Sequence, residues 1–162
     1  MILMTLCCAG ILSAQPDRVY RSLEEVADPA DVYQLELHRQ RLRRIPAEIY
    51  QMANLQRLDL RGNRIAEISD SIALLKNLER LELSRNPLRR LPAAMAQMTS
   101  LRHLVLWATY VTELPPEWGA LDGTLETIDL RKCPLRPADQ EAISQLLPAV
   151  ERIWDFACDC GD

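Results

Sequence analysis

Between residue 32 and about residue 150 the apolar positions fall into columns. Leu35, Leu58, Leu81 and Leu104 stand 23 residues apart, and Ile128 follows after 24. Leu37, Leu60, Leu83, Leu106 and Leu130 form a second column, and Leu42, Ile65, Leu88, Val111 and Leu135 a third. Ile45, Ile68, Leu91 and Leu114 make a fourth. Two more run Ile49, Ile72, Met95, Trp118 and Met52, Leu75, Met98, Leu121. Repetition at a fixed period of this size marks stacked supersecondary units, each burying its apolar side against the next. The best-formed unit is 55–77, LQRLDLRGNRIAEISDSIALLKN, and the full set divides as 32–54, 55–77, 78–100, 101–124 and 125–150.

Within a unit the period changes. The first part alternates apolar and polar residues, which predicts a short strand with its apolar members inward. The second part spaces apolar residues by three and four, which predicts a helical or 3-10 turn on the outer side. Pro46, Pro92 and Pro115 follow the fourth column and suit the first turn of a helix. Ser69 holds that place in the second unit. Asn63 and Asn86 sit where the chain leaves the strand, and a buried amide there can bond backbone groups of its own and the next turn. Gln40, Thr109 and Cys133 replace them elsewhere, and Cys133 reads as a small buried residue. The fifth unit has no Leu-Pro half and runs instead from Pro137 to Leu147, a longer helix. Val150 and Ile153 predict a last partial strand, within a closing segment 151–162.

The pattern L-x-x-L-x-L-x-x-N-x-L-x-x-L-P-x-x-I, carried by the residues above over 32–150, resembles the leucine-rich repeat. Its spacing is similar to the 23-residue class of Ras-associated scaffold proteins and of many bacterial proteins. The resemblance implies an α/β fold: a right-handed solenoid with a parallel sheet on its concave face and short 3-10 or helical turns on its convex side. It implies binding of a partner protein rather than catalysis, and it leaves that partner unnamed, since fold does not fix function.

Two segments lie ahead of the repeats. Residues 15–31 predict an N-terminal capping helix, with Ser22 and Glu25 spaced as a capping box and Pro29 as its stop. Leu23 and Val26 would then cover the open end of the core. Residues 1–14, MILMTLCCAGILSA, are nearly all apolar and too short to span a bilayer. They read as a signal peptide cut ahead of Gln15, although no Lys or Arg precedes the run. The alternative is an apolar cap on the first unit.

Charge and composition narrow the function. The chain has 162 residues, enough for one domain, and its 48% hydrophobic content is ordinary for a folded protein. A net charge of -4 argues against a general nucleic-acid binder. No glycine-rich phosphate loop occurs. His38 and His103 stand three units apart, roughly 14 Å by strand spacing, too far to share a metal. The five cysteines show neither a disulfide framework nor zinc spacing. Cys160-Gly161-Asp162 superficially resembles the Cys-x-Asp of bacterial leucine-rich-repeat ubiquitin ligases, but the large domain that those need after the repeats is not present in this chain. The reading is therefore not an enzyme, with no cofactor and no metal.

The expected partner surface is the outward face of the strands, about 20 Å across for five strands. Its candidate contacts are Arg57, Asp59, Arg61, Arg80, Glu82, Arg85, His103, Val105, Trp107, Asp129 and Arg131. An acidic row there lies between rows rich in arginine, which predicts pairing across strands. Trp107, alone among charges, reads as an anchor, whereas Trp118 falls in an inward column and reads as core. The expectation is a monomer that binds a protein, with no nucleic acid and no membrane span, outside the bacterial cytoplasm. The alternatives are an intracellular scaffold of the Ras-associated kind and a fragment of a ubiquitin ligase.

Overall fold

The computed structural model describes residues 16–154. Each alternating stretch of the repeats forms a strand of three residues with its central Leu or Ile buried and its two neighbours on the other face, where only Asp129 is also buried. The strands are β1 (Val19–Tyr20), β2 (Gln34–Glu36), β3 (Arg57–Asp59), β4 (Arg80–Glu82), β5 (His103–Val105), β6 (Thr127–Asp129) and β7 (Glu151–Ile153). They make one parallel sheet in chain order. Its register reproduces the first sequence column, with Leu35 beside Leu58, Leu58 beside Leu81, Leu81 beside Leu104, and Leu104 beside Ile128. The column ends in polar-tipped side chains. Tyr20 closes one end with the Arg18 guanidinium 4.4 Å above its ring. Arg152 closes the other, donating to the carbonyls of Leu147 and Pro148.

The return half of each unit packs its apolar stripe against the sheet. It forms 3-10 turns at Ala47–Gln51, Asp70–Leu74, Ala93–Gln97 and Pro116–Leu121. Pro46, Pro92 and Pro115 start three of them and the Ser69 hydroxyl starts the other. Ile49, Ile72, Met95 and Trp118 are fully buried beneath them. The fifth unit carries the helix α1 (Pro137–Leu146), opened by Pro137. Arg136 braces its first turn with two guanidinium bonds of 3.0 Å to the Asp139 carboxylate, and that pairing holds the carboxyl below its usual range.

The polar column at the strand exits forms a buried ladder. Asn63 donates to the carbonyls of Leu37 at 2.8 Å and Leu60 at 2.7 Å, and accepts from the amides of Gln40 and Leu42. Asn86 repeats this on Leu60, Leu83 and Ile65. Each amide thus reaches back to the preceding unit, not forward to the next one as the pattern suggested, because the exit turn aims its side chain toward the N-terminal neighbour. Thr109 and Cys133 continue more weakly, each donating to the Leu106 carbonyl. Cys133 is half-buried rather than buried, in the last of the five units. A second, more exposed ladder joins the outer turns, from Asn54 to the Ala30 carbonyl and from Asn77 to that of Ala53.

The segment ahead of the repeats is not one helix. It is β1 followed by two single 3-10 turns, Leu23–Glu25 and Pro29–Asp31, capped by the side chains of Ser22 and Asp28. The edge of β2 has unpaired backbone groups, and a strand satisfies them where a helix would not. Leu23 and Val26 still pack on the end of the core. The sheet therefore has seven strands rather than five plus a partial one. Residues 1–14 and the cysteines at 158 and 160 lie outside the described residues.

Candidate functional site

Parallel, in-register strands put equivalent outward residues side by side. Arg57 neighbours Arg80, and Asp59 neighbours Glu82. His103 neighbours Thr127, and its Nδ1 lies 2.9 Å from the Thr127 hydroxyl. Two adjoining depressions form on this face. One of about 570 Å³ is bounded by Arg57, Asp59, Arg80 and His103. The other, of about 350 Å³, is bounded by Val105, Trp107, Asp129 and Arg131. Arg61, Arg80 and Glu82 border both, so the sequence-predicted residues of the strands share one continuous surface. Arg85 lies just beyond it, on the turn after β4.

Across strands the acidic row meets only Arg21, 3.6 Å from Glu36, and His38, 4.0 Å from Asp59, among the described residues. Glu36 aside, the other three bond the backbone amide two residues on, accepting from it: Asp59 from Arg61 at 2.9 Å, Glu82 from Ser84 at 3.1 Å, and Asp129 from Arg131 at 3.1 Å. Where residue two is arginine, its guanidinium closes on the same carboxylate, at 3.1 Å for Arg61 to Asp59 and 2.6 Å for Arg131 to Asp129. Glu82 instead receives the Ser84 hydroxyl. The pairing is within a strand because the exit turn brings residue two's amide under the carboxylate. The acidic row is thereby committed to the turns. Arg57 and Arg80 are exposed and, among the described residues, make no ion pair.

Trp107 is half-buried between cations, with the Arg85 guanidinium 4.4 Å and the Lys132 ammonium 5.4 Å from its ring. It is a preorganised wall more than a free anchor. Trp154 follows the last strand and sits half-buried, with Arg152 5.9 Å from its ring. Trp118 is fully buried, and its indole N–H donates to the Pro92 carbonyl at 3.1 Å. His38 Nδ1 is buried, 4.0 Å from Asp59 and without a hydrogen bond. Among the described residues no cluster of three or more His, Cys, Asp or Glu could hold a metal ion. Nor, among them, is any helix long and apolar enough to cross a membrane.

The 23-residue columns thus stack strand on strand in register under a ladder of buried asparagines. A family model described as leucine-rich repeat region matches residues 21–109, more than half of the chain. The chain belongs to the leucine-rich-repeat family. A solved leucine-rich-repeat protein of Leptospira interrogans is 22% identical, aligned over 82% of this chain and 51% of that one, with a TM-score of 0.48. The chain therefore spans about half the length of that protein. No curated protein matches it. Leucine-rich-repeat folds generally mediate protein–protein binding, which fits a surface of depressions and unpaired guanidinium groups rather than an enclosed cleft.

Proposed function

We propose that this leucine-rich-repeat protein is a non-catalytic module that takes a partner protein on the concave face of its sheet. The observation that carries the reading is Arg57 and Arg80. They stand in register, exposed and without ion pairs, at the rim of the larger depression. An isolated arginine pair gains little from facing water and each other, but two planar forks side by side suit the polar groups of a protein segment. The carboxylates beside them are engaged by the turns, which argues against acid–base work at this face. Trp107 supplies an aromatic wall of the kind enriched at interface centres. An interface of about 800 Å² per partner would suffice for specific binding.

The test is capture from the source cells by the immobilised protein, followed by affinity measurement with whichever protein is retained. The double variant Trp107→Ala/Arg80→Glu is expected to weaken that binding at least about tenfold. Its melting temperature should stay within about 3 °C, since both side chains lie on the surface. Unaltered affinity in the double variant would remove this face from the reading. Export from the bacterial cytoplasm is part of the same proposal, and rests on the apolar run 1–14. N-terminal sequencing of the native protein is expected to begin at Gln15, and an intact Met1 in a cytosolic fraction would reverse it.

A further inference from the structure

Every strand of a parallel sheet exits at the same side, so the five turns at 37–45, 60–68, 83–91, 106–114 and 130–136 line one flank. These turns hold twelve of the 19 Lys and Arg residues, but only Glu67 and Glu113 of the 23 acidic ones. These five turns carry +10 in a chain whose net charge is -4, and the exit from β1 adds Arg21, Glu24 and Glu25 at one end of the flank. All twelve cationic side chains are exposed, and eleven are arginine. Among the described residues Arg39, Arg41, Arg43, Arg44, Arg64 and Arg90 make no ion pair. The backbone adds a second observation. The third residue after each of β2 to β6 has positive φ: Gly62 at 68°, but Arg39 at 57°, Arg85 at 56°, Ala108 at 56° and Lys132 at 57°. Glycine is the unstrained residue there, so these three cations hold places that cost stability.

We infer that this flank binds an acidic, extended segment of a protein, continuing the concave-face contact on which the inference rests. Arg61 and Arg131 border both surfaces, so a chain crossing the face runs onto the flank without a gap. Both already grip carboxylates, Asp59 and Asp129, by the guanidinium fork. Strands repeat at about 4.8 Å, so Arg39, Arg85 and Lys132 recur at about 10 Å, close to three residues of extended chain. A continuous polyphosphate would run along the adjoining carboxylates of Asp59, Glu82 and Asp129, whereas a protein segment can set neutral residues over them. A lipid surface would find little to hold it beyond charge. Tyr110, the large exposed apolar side chain on this flank, lies with the Arg89 guanidinium 5.5 Å from its ring, and exposed Leu74 belongs to a 3-10 turn of the opposite side.

The test titrates the protein into a labelled peptide of repeated Glu-Gly-Gly, followed by fluorescence anisotropy in low salt. Single-stranded DNA and phosphatidylserine vesicles serve as competing probes. Arg39→Gly/Arg85→Gly/Lys132→Gly is expected to weaken peptide binding about tenfold, three exposed contacts together, without lowering the melting temperature. Peptide affinity unchanged in this variant overturns the inference, as does DNA or vesicle binding tighter than peptide binding. The native partner separates this claim from the previous one. If its affinity falls in Trp107→Ala/Arg80→Glu but not in the glycine variant, the flank is excluded and the concave-face reading stands. If it falls in both, the continuous surface is supported.

Discussion

Trp118→Ala is expected to destabilise the protein by about 4 kcal/mol and to lower its melting temperature by about 10 °C. Trp118 fills the slot that Ile49, Ile72 and Met95 fill in earlier units, and all four are fully buried. It is the largest of them, so truncation leaves the largest void, and surrounding side chains recover only part of it. The loss has a polar component as well, since the Pro92 carbonyl surrenders the indole N–H that bonds it. The site also supports the last unit, because Gly119 beside it lies against Leu146 of α1. Urea titration followed by circular dichroism would measure the effect. Trp118→Met, which copies the preceding unit, should restore more than half of the loss. If the alanine variant costs under about 1 kcal/mol, the slot is not the close-packed core described above.

The second large effect is polar. Asn86→Ala is expected to cost about 3 kcal/mol, because it strands two buried backbone groups and takes a second donor from a third. The Leu83 carbonyl loses its side-chain donor and the amide of Ile65 loses its acceptor, while the Leu60 carbonyl keeps only the Asn63 amide. No strand pairing replaces these bonds at the exit turn, and Asn86 is only 2% exposed, so water does not reach them. Asn77→Ala is the control. That amide makes one bond, to the Ala53 carbonyl in the exposed ladder, and its loss should cost well under about 1 kcal/mol. Equal effects of the two substitutions would show that burial and bond number do not set the cost.

The columns were legible because a stack offers the same slot repeatedly, and the same slot selects the same shape. Leu58, Leu81 and Leu104 needed no further information to be placed inward. The ends of the stack were less legible. Val19–Tyr20 has no period to announce it, and its strand exists because β2 needs a partner. The same limit explains Leu42 and Leu135, which follow the column but stay half-buried because each lies in a terminal unit. On the sheet face, sequence parity placed Arg57, Arg80 and Trp107 on one side of the strands. It did not place Asp59 under the amide of Arg61, since that bond depends on the dihedrals of the exit turn. Nor did it give Trp107 its two cations, which come from the turns of neighbouring units. The charge of the whole chain was the least informative quantity. An average of -4 conceals a flank whose members are spread over about a hundred residues of sequence and meet only through the register of the sheet.

The two asparagines of the ladder fasten the first three units with seven bonds of good length between them, and each of them ties one unit to the one before it. A stack in which each layer touches only its neighbours comes apart where its stitching is loosest. This one is sewn closely from its first unit to its third, so the seam around Asn63 and Asn86 should be among the last places to open.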